Sequence, residues 1–342
     1  MRSTLTDVAR EAGVSGATVD RVLNGRPGVR ARTRQIVLET ASRLGYIASP
    51  EEGAPRSGRA TGVVDLDFVL PAGHNNFILL LARELERQAA ARPDIRAKVH
   101  LVEGFNPDTL ARKLDELDGR SGVGVIGIDH PTVRDAIRRL ARSGTQIVTL
   151  VSDIQNVPRF GYVGIDNRSA GRLAGYIMSR FLGEGPHSIA LFAGSIAYRG
   201  HEEREMGFRH IVSEHPDQLQ VVSFSEVQDD DEKSYAQARW HLRVHPDISA
   251  IYNIGGGNQG IARALTEIGR AGDVVFIGHD LTDDTRGFLL SGTMDAVIDQ
   301  YPRVEAREAL EQLARAVRGQ SWSAHPLRTQ IILKENLPEE VA

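Results

Sequence analysis

The sequence predicts a small all-α helix-turn-helix head joined to a larger α/β body made of two doubly wound parallel-sheet lobes. Three observations predict this. Residues 1–46 show only helical periodicity, broken by one tight turn. Residues 47–61 carry prolines and glycines and no periodicity. From there on, short apolar runs alternate with amphipathic helices, the pattern of parallel sheets covered by helices on both faces.

In the head, Leu5, Val8, Ala9 and Ala12 recur three and four apart, so they share one face of a short helix. Thr4 precedes it with Asp7 three residues on, a capping-box-like pair, and Gly13 supplies the left-handed residue that ends a helix cheaply. Ser15 is the N-cap of a second helix whose apolar stripe is Val19, Val22 and Leu23. Two helices joined so tightly cross steeply, and the second offers its N-terminal side chains to a DNA major groove. A third amphipathic segment, 31–44, adds Ile36, Val37, Ala41 and Leu44 to close the core. The stretch IASPEEGAPRSGRAT, 47–61, reads as a flexible linker. Residues 62–342 form the body.

In the body, VVDLDFVLP leads into a helix at 77–91, AKVHLVEG into one at 109–117, and VGVIGID into one at 133–143. QIVTLVS and YVGID precede a helix at 170–182, SIALFAG one at 202–214, and VVSFSEV one at 234–245. AIYNIG, VVFIGHD and AVIDQ lead to helices at 260–268, 284–291 and 304–318. About ten strands are too many for one sheet of this kind and suit two lobes. In such sheets ligands bind in a crevice at the carboxyl ends of the strands.

Composition narrows the function classes. With 41% hydrophobic and 25% charged residues, the chain has an ordinary soluble composition. No apolar run reaches the roughly eighteen residues of a membrane span, and no basic-then-apolar leader opens it, so a cytoplasmic protein is expected. The absence of cysteine rules out disulfides, thiolate catalysis and zinc–thiolate sites. Residues 1–50 hold eight arginines against four carboxylates, a surplus of four that leaves the remainder at -8 for a net -4. A basic head on an acidic body suits a head that meets phosphates.

Two enzyme signals are weak. GGGNQG at 255–260 fits the dinucleotide pattern GxGxxG, but GVGVIG at 122–127 fits it too while running into a strand. The eleven histidines include one HxxxH spacing, His241 and His245, but without the glutamate of an HExxH zinc motif, and no GxSxG elbow exists. No cofactor, metal or catalytic residue is therefore expected. An NAD(P)-linked enzyme and a solute-binding module without regulatory coupling remain as alternatives.

DVAREAGVS, TV-RVLNG and VRARTRQIVLETASRLGY, in that order and spacing, resemble the LacI (lactose-repressor) family of bacterial transcription regulators. HNNF at 74–77, the RxxGF pattern at 204–208, IGHD at 277–280 and VIDQYP at 297–302 make the body similar to the family's effector domain and to type I periplasmic sugar-binding proteins. The resemblance implies two lobes of discontinuous segments, about 62–163 with 296–323 and about 164–295 with 324–342, crossing near Gly164, Ala296 and Ala324. It places Gly16, Ala17 and Arg21 toward base edges. A guanidinium such as that of Arg21 can donate two hydrogen bonds to guanine. It places Thr4, Ser15, Thr18, Asn24 and Thr33 toward phosphates, and Arg30 and Arg32 can add contacts there.

For the effector the resemblance carries over Asn75, Phe77, Arg204, Asp280 and Gln300. Asp129, Ser152 and Asn253 join them at strand ends, as do His130, Asn258 and His279, with helix capping as the competing role. Two departures stand out. Asp20 replaces a small hydroxyl residue, and the linker has no leucine of the kind that wedges the minor groove, so strong operator kinking is not expected. The implied function is a homodimeric repressor on double-stranded operator DNA, with half-sites about 10 base pairs apart. A small sugar or polyol-like effector between the lobes controls it.

Overall fold

A computed structural model of the protein describes residues 5–23, 29, 33, 36–38, 40–41, 62–322 and 325–339. They divide between two compact units, Met1–Gly58 and Arg59–Ala342. Thr4, Asn24, Arg30, Arg32, Leu44, the linker 47–61 and Ala324 lie outside the described residues, as do the side chains of Asp7 and Ala17.

In the head, α1 (Leu5–Glu11) and α2 (Gly16–Leu23) flank Gly13, whose φ of 67° turns the chain as expected. Ser15 caps α2 by accepting a hydrogen bond from the Thr18 amide at 3.2 Å. Val8, Ala9, Val19 and Val22 are buried together with Val37 and Ala41. Ile36 was expected in that core and instead is 42% exposed. The buried set is Val37, Thr40 and Ala41, one helical face, and Ile36 stands about a quarter-turn away from it.

In the body, β1 (Val64–Ala72), β2 (Ile95–Glu103), β3 (Gly122–Val125), β4 (Gln146–Leu150) and β5 (Gly161–Val163) form a parallel sheet in the order β2-β1-β3-β4-β5. The second sheet joins β6 (His187–Ala193), β7 (Leu219–Glu226), β8 (Ile248–Asn253), β9 (Val275–His279), β10 (Ala296–Asp299) and β11 (Gln330–Ile332) in the order β11-β10-β9-β8-β6-β7. Strand order reverses between β1 and β3 and between β6 and β8, and at each reversal a crevice opens beyond the strand ends.

Helices α3 (Asn76–Ala90), α4 (Pro107–Glu116) and α5 (Pro131–Arg142) cover the first sheet, joined by α11 (Pro302–Val317), which returns from the second lobe. Helices α6 (Asn167–Phe181), α7 (Arg199–Glu214), α8 (Asp231–Val244), α9 (Asn258–Glu267) and α10 (Asp283–Ser291) cover the second. No helix among the described residues is long and apolar enough to cross a membrane.

Two details differ from the sequence reading. β10 hydrogen-bonds to β9 and β11, so 296–299 belong to the second lobe and the crossing falls at Gln300–Tyr301, not near Ala296. A run buried on both faces such as AVID fits the centre of either sheet, so its pattern cannot choose between them. β11 was not expected at all, and it runs antiparallel to β10 as an edge strand. Near Gly164 the chain does cross, where the Leu327 amide donates to the Gly164 carbonyl at 2.9 Å and Ile165 bridges Leu327.

The RxxGF pattern finds its physical reason in the packing of α6 on α7. A Cβ on Gly207 would stand 2.1 Å from the Arg168 carbonyl oxygen, and one on Gly171 would stand 1.9 Å from that of Arg204. Only glycines let these two backbones touch. Phe208 then fills the core, stacked on Tyr252 at 4.8 Å. Gly207→Ala or Gly171→Ala is therefore expected to force the helices apart and lower stability by about 1–3 kcal/mol, measurable by urea denaturation. A substitution within about 0.5 kcal/mol of wild type would contradict backbone contact between the helices.

Candidate functional site

Between the lobes lies a partly open cleft that encloses about 650 Å³ of empty space, the solvent at its mouth included. The first lobe lines it with the Pro71–Asn75 loop after β1, Phe77 and Ile78 of α3, Phe105, Ile126, Val151 and Ser152. The second lobe supplies Tyr198, Gly200, His201, Arg204, Gln228, Asp229, Gly255, Asp280 and Gln300. Apolar surface thus comes mostly from one side and polar groups from the other.

Backbone strain gathers here. Among the described residues, seven non-glycines have positive φ, and five of them, Phe105, Val151, Gln228, Asp229 and Asp280, line the cavity. A sixth, Tyr301, follows Gln300 directly. Such conformations cost about 1–3 kcal/mol each and persist where the surroundings impose them, typically at binding sites.

Arg204, 3% exposed, organises the floor. Its Nε donates to Asn167 Oδ1 at 2.7 Å, Nη1 to the Ile254 carbonyl at 2.9 Å and Nη2 to Gln300 Oε1 at 2.7 Å. Gln300 in turn donates to Asp280 Oδ1 at 2.9 Å. Asn167 also donates to the Val151 carbonyl at 3.1 Å, and the Val151 amide donates to Glu305 Oε1 at 3.1 Å. One hydrogen-bonded chain therefore links two of the crossings to the cavity.

Asp229 forms the other polar corner. Its Oδ2 accepts from Asn75 Nδ2 at 2.9 Å across the cleft, and Oδ1 from the Gly256 amide at 2.8 Å. A Cβ on Gly194, Gly255 or Gly256 would stand 2.2, 2.5 or 2.9 Å from Asp229. That accounts for the first glycines of GGGNQG, and the last, Gly260, abuts the Asp231 carbonyl. The amides at the start of α9 face carboxylates, Asp229 at Gly256 and Asp231 at Gly260, so a pyrophosphate would meet negative charge there. The lobes are closed on one another: Asn76 also donates to Asp284 at 2.8 Å, and the Gly200 amide to Ser152 Oγ at 3.0 Å.

Of the eight residues expected to bind an effector, Asn75, Phe77, Ser152, Arg204, Asp280 and Gln300 line the cavity. Asp129 and Asn253 do not. The Asp129 carboxylate is held by Arg134 at 2.6 Å, and the Asn253 amide is consumed by the Gly256 carbonyl and Asn258 Oδ1 at 2.9 and 2.8 Å. His130 caps α5, Asn258 donates to the His279 carbonyl, and His279 is buried with its Nε2 2.8 Å from the Tyr252 hydroxyl. Sequence reasoning missed Asp229, Phe105, Tyr198 and His201. Phe105 and Tyr198 meet edge to face at 5.4 Å, and burial pushes the Tyr198 hydroxyl up to about 12.

On the head, Arg21 is exposed at the end of α2, and Ser15, Gly16, Thr18 and Thr33 are exposed or half-buried. The Ser15 and Thr18 hydroxyls bond each other at 2.9 Å. A Cβ on Gly16 would already touch Leu5 at 3.4 Å.

Fold and cleft define a two-lobed ligand-binding body carried by the same chain as a helix-turn-helix head. Residues 66–321 match the family model of the periplasmic binding protein domain, and 4–49 that of bacterial regulatory proteins, lacI family. The chain belongs to the periplasmic binding protein domain family over its body, and its N-terminal head is a helix-turn-helix domain of the kind found in bacterial regulatory proteins of the lacI family.

It is 29% identical over 218 residues to catabolite control protein A of Priestia megaterium, covering 63% of this chain and 62% of that protein. It is 31% identical to the HTH-type transcriptional regulator reg1 of Streptomyces lividans, covering 63% and 60%. It thus spans about three fifths of the length of these regulators. The ribose import binding protein RbsB of Escherichia coli is 26% identical over 211 residues, 60% of this chain and 69% of that one. Among solved structures, a solute-binding protein from Burkholderia graminis in complex with D-arabinose superposes with a TM-score of 0.76 at 20% identity, covering 82% and 99% of the two chains. A glucose-galactose binding protein from Geobacillus stearothermophilus gives 0.72 at 23%, covering 81% and 100%.

Two carboxyls near the crossing carry a pH signature. Burial pushes Asp280 up to about 7, and burial, reinforced by the Asp280 charge, pushes Glu305 up to about 8. Glu305 is fully buried, and its Oε2 finds no partner among the described residues. In the unfolded chain both ionise near 4. The folded protein therefore holds protons that the unfolded chain releases, and stability falls as pH rises from about 4 to about 8. The expected slope is about 1.4 kcal/mol per pH unit for each retained proton. Urea denaturation between pH 5 and 8 reads it. Asp280→Asn should flatten the slope by one proton's worth up to about pH 7. An unchanged slope in that variant would mean Asp280 is ionised throughout.

Proposed function

We propose that this chain is a cytoplasmic, DNA-binding transcriptional regulator, a repressor acting as a homodimer, whose operator affinity is set by a sugar or polyol-like effector held between the lobes. The observation that carries this reading is that one chain combines a helix-turn-helix with an outward Arg21 and a cavity whose lining comes from both lobes. A clamp of that kind responds to a ligand by changing the population of its closed form. The body's likeness to a protein named for ribose import supports a hydroxyl-rich ligand. So do the paired functions of the lining: carboxylates and amides that take hydroxyls, beside Phe77 and Phe105 that cover an apolar ring face.

Two measurements test it. A thermal-shift screen of the full chain against sugars and polyols should yield a ligand that raises the melting temperature with the logarithm of its concentration. Silence from such a set would remove the polyol effector. On the DNA side, Arg21→Ala should weaken operator binding by about 1–3 kcal/mol while leaving effector binding intact. Equal loss on specific and random DNA in a gel-shift titration would make Arg21 a phosphate contact instead.

The second reading, a solute-binding module without coupling, draws on the match of the body alone to import binding proteins. It differs in predicting ligand binding with no change in operator affinity.

A further inference from the structure

The charge balance of the cleft narrows the effector further, on the footing of the effector reading above. Its lining holds two carboxylates, Asp229 and Asp280, and one guanidinium, Arg204. All three nitrogens of Arg204 are engaged by neutral oxygens of Asn167, Ile254 and Gln300. His201 adds little compensating charge, because burial lowers its basicity; its Nδ1 lies 3.2 Å from both the amide nitrogen and the carbonyl oxygen of Ser195. His74, at the mouth, is the other imidazole of the lining. Below about pH 7 Asp280 keeps its proton and Arg204 balances Asp229; once Asp280 ionises, the cavity carries surplus negative charge among apolar walls, where an unbalanced charge is costly.

Geometry points the same way. Asp280 is 8% exposed, and beyond the Gln300 bond to Oδ1 its Oδ2 makes no hydrogen bond among the described residues. Each Asp229 oxygen has a single donor, while a carboxylate accepts about four. The three glycines pressed around Asp229 reserve that corner for its carboxylate. Phe77 and Phe105 line the same cavity, and an aromatic ring attracts a cation that reaches its face.

We propose that the effector is an amino sugar, bound through its ammonium group by Asp229 and Asp280, and that these two residues select it over neutral and phosphorylated counterparts. A phosphate would instead bring about two further negative charges against both carboxylates. An ammonium group favours the ionised carboxyl, so binding releases a proton from Asp280, and affinity rises as pH increases toward about 7, above which the sugar's own ammonium begins to lose its proton. The charges acting on Asp280 in this range are Arg204, Asp299, Asp229 and Glu305.

The test uses the full chain and matched triplets: galactose, galactosamine and galactose 6-phosphate, with the glucose and mannose series alongside. Calorimetric titration at pH 5.5 and pH 7, where the sugar's amine stays mostly protonated, should show the amine of at least one triplet binding about tenfold or more tighter than its neutral parent. Its affinity should be higher at pH 7, and its phosphate should give no measurable heat. Asp229→Asn should bring the amine-to-neutral ratio within about threefold, and Asp280→Asn should remove the pH dependence; if one variant fails to fold, the other and the wild-type ratio still decide. A neutral parent or a phosphate binding as tightly as the amine to wild-type protein would overturn the proposal and leave the polyol reading standing. Absence of binding across all three series would remove the reading beneath it and the proposal together.

Discussion

The buried guanidinium of Arg204 is the constraint on which the rest of the cleft depends. A charge removed from water needs an acceptor on every side. Here the acceptors come from three separate places: Asn167 just past one crossing, Ile254 at the end of β8 where strand order reverses, and Gln300 at the other crossing. Meeting that one demand fixes where the chain passes between lobes, and it sets Gln300 so that its amide reaches Asp280. Gly171 and Gly207 belong to the same requirement, because only direct backbone contact between α6 and α7 brings Arg204 low enough to reach all three.

The second constraint is the position of carboxylates in an apolar cleft. Asp229, Asp280 and Glu305 are each held by neutral donors, and burial keeps Asp280 and Glu305 protonated to unusually high pH. The fold tolerates strained backbone at Val151, Gln228, Asp229 and Asp280 to place these groups. Stability spent in that way marks a site built for a ligand rather than for packing. A proposed regulator needs this property, because a ligand can bias a clamp only by the free energy it contributes to one state over the other.

Much of this was legible in the sequence because it rests on local chemistry. The cap at Ser15, the turn at Gly13 and the alternation of strand and helix are short-range signals, and they gave the head and the two-lobed body. Arg204, Asp280 and Gln300 sit in recognisable patterns at strand or helix ends. Asp229 was not legible: VQDDDEKS reads as a solvated acidic cap, and Asp230 indeed caps α8 by accepting the Lys233 amide at 2.8 Å. Which of three adjacent acids turns inward depends on two consecutive left-handed residues, Gln228 and Asp229, that no side-chain pattern announces. Asp129 and Asn253 misled for the converse reason. Both stand at strand ends, but a nearby arginine and a nearby turn claim their polar atoms. The crossing at Gln300, displaced from Ala296, turned on sheet pairing over long range, which a short strand buried on both faces does not encode.

The central claim is that the cleft and the DNA-binding head of this chain are thermodynamically linked. The most direct test is a calorimetric titration of the strongest-stabilising sugar or polyol into the full protein, alone and saturated with operator DNA. Linkage predicts that the two dissociation constants differ by about 5–150-fold, and that the ligand changes operator affinity by the same factor. Identical ligand affinity with and without operator would contradict the claim and leave a binding protein that merely shares its chain with a DNA-binding head.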